Sequence, residues 1–260
     1  MCELLGMSFN LAVNPSVSFR GFRLRGKENR AGWGLAYYPD NAAQVIKEPV
    51  QGDDSGLSAF IRDYPLIKSQ VFVSHVRKAS AGRVSYSNSH PFARELNGKD
   101  YVFAHNGTLQ DYQELELQQF KPVGSTDSEY AFCHLLSAIA TRDTDVWDPD
   151  EMSWLAKKLK SINERGKFNC LLSDGEYLFC YRTIDEKDKG LQFLRRESPY
   201  GPIKLKDTDL EVDLRQEKEP NQEGYIVATQ ALTNERWEDL KTGELLVIRN
   251  GTAVFSSKAD

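Results

Sequence analysis

Short, nearly continuous apolar runs recur through the first part of the chain, a pattern typical of buried β-strands. Strands are predicted at residues 3–7, 34–38, 43–47 and 71–76. The turn sequence Pro39-Asp40-Asn41 joins the second and third of these strands into a hairpin. Residues 55–61 predict a short helix capped by Asp54 or Ser55, whereas the basic segment 20–30, with its two glycines, predicts a loop.

The middle of the chain carries the wider apolar spacing of amphipathic helices. A first helix is predicted from Thr126, with Glu129 three residues later in the capping-box spacing. Its apolar residues at helical intervals are Phe132, Leu135, Leu136 and Ile139. A second helix is predicted over 149–162, with one apolar face made of Met152, Leu155, Leu159 and Ile162. A shorter helix is predicted within residues 109–117.

Apolar runs of strand length return after Lys167. They predict strands at residues 168–172, 177–181, 191–194, 225–229, 245–248 and 254–255. The Asn250-Gly251 pair predicts a tight hairpin between the last two. Strands on both sides of two helices fit an α+β fold. With 260 residues, 40% of them hydrophobic, the chain is long enough for one large domain or two small ones, and no linker or internal repeat divides it.

Charge and cysteine content narrow the class of protein. The net charge of −5 argues against nucleic acid as the main partner, because phosphate binding needs a clustered positive surface. The four cysteines show no C-x-x-C spacing, and Glu3 stands where a secretory signal would be basic. No apolar stretch approaches the roughly 18 residues of a membrane span. These features predict a cytoplasmic protein without a membrane partner.

Cys2 is the first candidate for chemistry, because removal of Met1 would make it the N-terminal residue. Its thiol would then share one residue with a free α-amine, whose reference pKa of about 7.7–8.0 suits it to accept the thiol proton near neutral pH. A chance cysteine and a lipidation site are the alternatives. The catalytic interpretation therefore depends on further residues that bind a substrate and an oxyanion.

Four short motifs follow in order between Val71 and Phe132. They are His75-Val76-Arg77, Asn88-Ser89-His90-Pro91, His105-Asn106-Gly107 and Thr126-Asp127-Ser128-Glu129. Each is weak alone, but together with Cys2 they resemble the glutaminase domain of the class II, or N-terminal-nucleophile, glutamine amidotransferases. The opening Cys-Glu-Leu-Leu-Gly-Met, the segment 32–38 and the chain length resemble the stand-alone YafJ-like subgroup. The resemblance covers essentially the full chain.

The resemblance implies a fold and a catalytic set. The fold is a four-layer α-β-β-α sandwich of two mostly antiparallel sheets, built by a single domain over residues 2–260 after loss of Met1. Cys2 is the nucleophile, and Asn106 and Gly107 form the oxyanion hole from a side-chain amide and a main-chain N–H. The alternative for Asn106 and Gly107 is a hairpin turn, because Asn-Gly is a strong hairpin signal.

The resemblance also implies a set of substrate-binding residues. Arg77 holds the α-carboxylate of glutamine through its planar guanidinium, and Asp127 holds the α-amine. Ser80 and His90 complete this set. The alternatives are a surface ion pair for Arg77 and capping of the following helix for Asp127.

Three of the four histidines, His75, His90 and His105, lie at equal intervals that match no common metal-ligand spacing. Neither a metal nor a cofactor is therefore predicted. His75 is expected to be buried, to make a hydrogen bond and to face the same side as Arg77, since alternate residues of a strand share a face. His105 is expected to pack or to orient a hydrogen-bonded neighbour. The cysteines at 133, 170 and 180 are predicted to be small core residues.

The predicted reaction is attack of the Cys2 thiolate on the γ-carbonyl of glutamine or another γ-glutamyl compound. A γ-glutamyl thioester forms, and water hydrolyses it. Because 260 residues leave no room for a synthase domain, either a separate synthase or amidase subunit receives the ammonia or the reaction is hydrolysis alone. The alternatives are a γ-glutamyl-peptide hydrolase acting on a thiol-metabolite conjugate and a catalytically silent regulatory subunit.

Overall fold

Strands dominate the regular structure in the computed structural model, which describes residues 2–78, 83–142 and 146–258. The strands are β1 (Glu3–Val13), β2 (Trp33–Tyr37), β3 (Gln44–Glu48), β4 (Ser69–Val76), β5 (Phe92–Leu96), β6 (Lys99–Leu109), β7 (Gly166–Ser173), β8 (Tyr177–Tyr181), β9 (Gln192–Arg196), β10 (Pro202–Lys204), β11 (Glu211–Asp213), β12 (Gly224–Ala228), β13 (Glu238–Asp239), β14 (Leu245–Arg249) and β15 (Thr252–Ser256). The helices are α1 (Ser16–Leu24), α2 (Gly56–Asp63), α3 (Asp127–Arg142), α4 (Pro149–Asn163) and α5 (Leu214–Glu217), with 3-10 turns at Arg25–Lys27, Tyr86–Asn88 and Tyr112–Glu114. No helix within these described ranges is long and apolar enough to cross a membrane.

Two antiparallel sheets lie face to face. The first has seven strands in the order β13-β9-β12-β1-β4-β2-β3, and the second has six in the order β15-β14-β8-β7-β6-β5. β10 and β11 form a separate two-stranded ribbon. β1 lies at the centre of the first sheet and pairs with both β4 and β12, so the N-terminal residues are held on two sides.

Three apolar layers join the sheets and the helices. Phe22 of α1 packs on the outer face of the first sheet. Leu4 and Leu171 belong to the layer between the two sheets. Phe132 of α3 packs on the outer face of the second sheet, where α4 also contributes. This order of layers confirms the predicted α-β-β-α sandwich.

Gly6 lets β1 approach the second sheet closely. A Cβ built on Gly6 would lie 3.1 Å from a methyl carbon of Leu171 and 3.1 Å from one of Leu178. Because side chains alternate along a strand, Cys2 and Leu4 face the same side as Gly6. The packing therefore directs the Cys2 side chain toward the second sheet.

The predicted helix starts are confirmed. The Oγ of Ser55 accepts a hydrogen bond of 3.0 Å from the main-chain N–H three residues later, at the start of α2. At the start of α3, the Oγ1 of Thr126 accepts from the N–H of Glu129 at 3.1 Å. The Glu129 carboxylate accepts instead from the N–H groups of Val123 and Gly124, at 3.1 and 2.6 Å. Only the Thr126 half of the capping box is therefore formed. The Glu129 carboxylate instead binds the main chain of the loop that precedes the helix.

The prediction of a loop over residues 20–30 is wrong. The chain there is helical through the end of α1 and its following 3-10 turn. Phe19 and Phe22, three residues apart, lie on the buried face, and the many basic residues around them hid this spacing. Arg23 is itself buried, and its Nε donates a hydrogen bond to the Oγ of Ser58 at 2.9 Å.

Two of the three Asn-Gly pairs, those at 106–107 and 250–251, differ in structure. Asn106 and Gly107 lie inside β6, so the alternative of a hairpin turn is wrong for this pair. Asn250 and Gly251 form the predicted hairpin turn, with left-handed φ values of 48° and 72°. The helix predicted within 109–117 is only a 3-10 turn, Tyr112–Glu114.

Phe132 fixes α3 on the second sheet, so its truncation should destabilise the protein. The side chain is fully buried, and its ring stacks on that of Phe103 with centroids 5.1 Å apart. We expect Phe132→Ala to lower the free energy of unfolding by about 3–5 kcal/mol in urea denaturation. Leu57→Ala on α2, where the side chain is 39% exposed, is the control and should cost under about 0.5 kcal/mol. Equal losses for the two variants would contradict this description of the core.

Candidate active site

Cys2 lies just before β1, at the end of the sandwich where residues of both sheets meet. Its Sγ is 3.2 Å from the main-chain nitrogen of Lys78 and 3.2 Å from the carbonyl oxygen of the same residue. Burial raises the pKa of the Cys2 thiol, while the N–H of Lys78 and the charge of Arg77 act to lower it. A main-chain donor is therefore in place beside the sulfur, where it favours a thiolate.

Asn106 reaches Cys2 from the second sheet. It is 5% exposed, and its Nδ2 donates to the carbonyl oxygen of Cys2 at 2.7 Å. A carboxamide nitrogen carries two hydrogens, so this bond uses only one of its donors. The structure thus brings the predicted oxyanion donor next to the predicted nucleophile.

Gly107 follows on β6 and pairs with Phe168 of β7. A Cβ built on Gly107 would collide with the carbonyl oxygen of Lys167 and lie 2.5 Å from the Nε2 of His105. A carbonyl in a sheet ladder cannot move aside as a flexible side chain can. Only glycine fits here while β6 and β7 keep this register.

Arg77 ends the apolar run of β4 and is 3% exposed. Its main-chain N–H donates to the carbonyl of Gly32 at 2.7 Å, and its Nη1 donates to the carbonyl of Arg83 at 3.2 Å. Burial lowers the pKa of Arg77, and the neighbouring Cys2 and Asp127 oppose this shift. The guanidinium therefore lies within electrostatic reach of both, and the alternative of a surface ion pair for Arg77 is wrong.

Asp127 is the first residue of α3 and is 5% exposed. Its Oδ2 accepts a hydrogen bond of 2.8 Å from the N–H of Leu109, at the end of β6. The helix is capped by Thr126, so the carboxylate of Asp127 faces the site strand rather than the helix end. This contact joins the start of α3 to the strand that carries Asn106.

His90 lies beneath this group rather than on its surface. It is 4% exposed, and its ring centroid is 4.1 Å from that of His75 and 4.5 Å from that of Phe92. His75 is buried as expected, and burial lowers the pKa of its ring to about 3 against a smaller opposing effect of a main-chain hydrogen bond with His105. The role of His90 in substrate binding stays a prediction. Ser80 lies outside the described residues.

The second motif and the fourth motif are tied together, which the sequence did not predict. The Oδ1 of Asn88 accepts from the N–H of Ser125 at 2.8 Å, and its Nδ2 donates to the carbonyl of Arg83 at 3.0 Å. Arg94 of β5 forms an ion pair of 2.5 Å with Glu129. Asn88 therefore links the segment that contacts Arg77 to the loop that precedes Asp127.

Glu3, directly after Cys2, anchors the N-terminal strand through a buried ion pair. Its carboxylate pairs with Arg25 at 3.2 Å and accepts from the Oγ1 of Thr229 and, at 2.9 Å, from Gln230. Arg25 also pairs with Asp207 at 3.1 Å. A charged residue at the start of an apolar run is the signal that would have marked Glu3.

Asn169 of β7 is directly opposite Asn106 and is fully buried. Its Nδ2 donates to Asp188 at 3.1 Å, and its Oδ1 accepts from the N–H of Thr183 at 3.0 Å. Asp188 also forms an ion pair with Lys167. A polar residue within the apolar run 168–172 is the signal for this group, which fixes the loop after β8 beside Asn106.

No group of three or more metal-ligating side chains occurs in the part of the chain that the structure describes. The polar residues around Cys2 instead provide hydrogen-bond donors, one guanidinium and one carboxylate. This set is suited to binding a small zwitterion beside a thiol.

Comparison with known proteins identifies the family of the chain. A family model described as class II glutamine amidotransferases matches residues 1–260. An uncharacterised protein of Methanocaldococcus jannaschii is 46% identical over 258 residues, which are 99% of this chain and 72% of that protein. The putative glutamine amidotransferase YafJ of Escherichia coli K12 is 39% identical over 252 residues, 94% of this chain and 96% of YafJ.

A solved structure extends the similarity to the fold. The 2.0 Å crystal structure of a predicted glutamine amidotransferase from Pseudomonas aeruginosa superposes with a TM-score of 0.73 at 30% identity, covering 98% of this chain and 100% of that one. The fold, with its two stacked antiparallel sheets, is that of the N-terminal-nucleophile type of glutamine amidotransferase. The chain belongs to the class II glutamine amidotransferases, and its activity is hydrolysis or transfer of the amide of glutamine.

The collision at Gly107 leads to a test of the site. We expect Gly107→Ala to lower the free energy of unfolding by about 1–3 kcal/mol and to reduce glutaminase activity, because β6 and β7 must separate next to Asn106. Gly56→Ala is the matched control, since no atom lies within 4 Å of a Cβ built there, at the start of α2. Urea denaturation and ammonia release measure the two effects. Wild-type values for Gly107→Ala would contradict the close approach of the strands.

Proposed function

We propose that the chain hydrolyses the γ-amide of glutamine through a γ-glutamyl thioester on Cys2 after Met1 is removed. The observation that carries the proposal is the hydrogen bond of 2.7 Å from the Asn106 carboxamide to the Cys2 carbonyl. This bond joins a buried carboxamide of one sheet to Cys2, which directly precedes the central strand of the other sheet. The buried Arg77 and Asp127 lie close to the same point.

The α-amine of Cys2 acts as the base. It takes the thiol proton, directly or through one water, and the thiolate forms a C–S bond with the carbonyl carbon of the γ-amide of glutamine. The C–N bond then breaks, the proton passes to the leaving nitrogen, and ammonia departs. Water attacks the thioester, glutamate is released and the thiol is restored.

Asn106 and Gly107 stabilise the oxyanion that forms in both steps. The carboxamide of Asn106 keeps one N–H for the Cys2 carbonyl and can direct the other to the oxyanion. The main-chain N–H of Gly107 is the second donor. Because β6 is paired with β7 through Asn106 and Gly107, these donors need not reorganise as charge develops.

Arg77 and Asp127 bind the amino-acid head group of the substrate. The guanidinium pairs with the α-carboxylate in a bidentate contact, and the carboxylate of Asp127 pairs with the α-amine. Both side chains are buried, so water screens these pairs little. With the head group held in this way, the γ-carbonyl lies one glutamyl side chain away from it, within reach of the Cys2 thiol.

The nucleophile is tested by covalent capture. We expect the glutamine-like electrophile 6-diazo-5-oxo-norleucine to add once to the processed protein, and intact-mass analysis should place the adduct on Cys2. Protein that retains Met1 should react and turn over far more slowly, because its Cys2 nitrogen is a non-basic amide. Cys133→Ala, which removes a fully buried cysteine of α3, is the control and should still be labelled.

Two outcomes of this experiment would contradict the proposal. One is labelling of Cys2→Ala at the wild-type rate. The other is an equal glutaminase rate for the processed protein and the protein that retains Met1. A melting temperature of Cys2→Ala close to that of the wild type is also expected, since the role of the residue is chemical.

The head-group residues and the oxyanion donor should differ in kinetics. Removing one partner of a buried charge pair costs about 2–5 kcal/mol, so Arg77→Ala or Asp127→Asn should lower kcat/KM by roughly 30-fold to several thousand-fold. Asn106→Ala should act chiefly on kcat, with a loss of about 10²–10³, because an oxyanion donor counts mainly in the transition state. Steady-state kinetics on glutamine measure both.

Asp148→Asn is the matched control for Asp127→Asn. Asp148 is a true helix cap, whose Oδ1 accepts from the N–H of Glu151 at 2.9 Å at the start of α4. Asparagine caps about as well as aspartate, so this variant should keep wild-type kinetics. A wild-type kcat/KM for Asp127→Asn would remove Asp127 from the substrate site.

A further inference from the structure

A chain of buried polar groups runs behind the carboxylate of Asp127. His105 is 1% exposed and Ser128 is 5% exposed. The Nε2 of His105 lies 3.1 Å from the carbonyl oxygen of Lys167, and its Nδ1 lies 2.9 Å from the Oγ of Ser128. The same hydroxyl oxygen lies 3.4 Å from the Oδ1 of Asp127. These hydrogen-bonded groups thus join β6, α3 and β7 immediately next to Asn106.

The carbonyl of Lys167 selects the tautomer of His105. A carbonyl oxygen only accepts hydrogen bonds, so the ring must carry a hydrogen on Nε2 to make this contact. Burial lowers the pKa of His105, and the charge of Asp127 opposes this shift only in part, which favours a neutral ring. A neutral ring with its hydrogen on Nε2 has a lone pair on Nδ1. The Nδ1 of His105 therefore accepts from the hydroxyl of Ser128.

The hydroxyl of Ser128 has one hydrogen and two neighbouring acceptors. The 2.9 Å distance to His105 is the better hydrogen bond, and the 3.4 Å distance to Asp127 is long. The Oδ2 of Asp127 already accepts from Leu109, so Oδ1 is the oxygen next to Ser128. A hydroxyl turned toward Oδ1 would compete with an arriving ammonium group for that oxygen.

We propose that His105 is a positioning residue for substrate binding, which holds the hydroxyl hydrogen of Ser128 and so keeps the Oδ1 of Asp127 open for the α-amine of glutamine. The inference rests on the proposed role of Asp127. It assigns to His105 a task without contact to the substrate. Its loss should therefore raise KM and leave kcat nearly unchanged, because the reacting carbonyl lies at the other end of the glutamyl group.

Two substitutions separate the acceptor of His105 from its bulk. His105→Gln places an amide near the Nε2 position and loses the Nδ1 acceptor, whereas His105→Asn keeps an acceptor near the Nδ1 position. Both remove the ring and its packing. We expect His105→Gln to raise KM for glutamine about tenfold, with kcat changed less than about threefold. His105→Asn should raise KM clearly less.

The double variant His105→Gln/Ser128→Ala decides how the effect arises. It removes the competing hydroxyl, so KM should return to within about threefold of the wild-type value if the defect acts through Ser128. Ser137→Ala is the matched control, because Ser137 is a buried serine of the same helix whose hydroxyl donates to the carbonyl of Cys133 at 2.8 Å. It should not restore KM when combined with His105→Gln. An unrestored KM in the Ser128 double variant would overturn the proposal, as would equal KM values for His105→Gln and His105→Asn.

A spectroscopic test on the unsubstituted protein needs no substrate. The chain has four histidines, so long-range proton–nitrogen spectra of protein labelled with nitrogen-15 histidine can resolve each ring. We expect His105 to carry its hydrogen on Nε2, with Nδ1 unprotonated at neutral pH. A hydrogen on Nδ1 would overturn the proposal even if the protein turns over glutamine. Absence of glutamine turnover with the expected tautomer would instead count against the proposed function.

Discussion

The close packing of β1 against the second sheet sets the position of every group in the site. A side chain at Gly6 would press on Leu171 and Leu178, so the strand can neither shift nor rotate without opening the layer between the sheets. The strand delivers Cys2 to the edge of this layer, where Asn106 reaches it from the opposite sheet. The spacing of the two sheets therefore sets the distance between the Cys2 thiol and the Asn106 carboxamide. The packing of the core determines the sheet spacing, and through it how Cys2 and Asn106 lie relative to each other.

Burying the start of a chain is costly unless its polar groups are satisfied. Glu3 is the clearest case, because burial raises the pKa of its carboxyl group while Thr229 and Arg25 oppose that shift. Removing one partner of such a pair costs about 3–5 kcal/mol, so the pair resists partial loss. The ion pair thus fixes Glu3 on the face of the sheet opposite to Cys2. The thiol side of the strand stays open for chemistry, and the other side holds it in place.

Much of the site could be predicted because it is written in short motifs. Arg77 follows β4 and Asp127 begins α3, and apolar spacing alone indicated these two elements. Asn106 lies inside β6, for which no strand was predicted. The helix α1 could not be predicted in this way, since its buried face includes Arg23, and a buried charge looks like a surface charge in a sequence. β5 was missed because only its two end residues, Phe92 and Leu96, are fully buried.

The contacts that Asn169, Asp188 and Asn88 make around the site could not be predicted, for a different reason. Asn169 and Asp188 lie far along the chain from Asn106, and only the register of β6 with β7 brings them to it. The same holds for the contact between Asn88 and Ser125. No local pattern encodes which strands become neighbours. Single polar residues inside apolar runs are the trace that such contacts leave in the sequence.

Arg25 has a consequence for how the molecule opens. Its guanidinium holds Glu3 at the N-terminus, Asp207 in the segment between β10 and β11, and the carbonyl of Gln230 after β12. Detaching any one of these segments would leave buried charge behind, so the three are not free to fluctuate independently. Their amide hydrogens should exchange with solvent as one cooperative unit that includes β1. We expect local opening of β1 to be as slow as that of the strands in the interior.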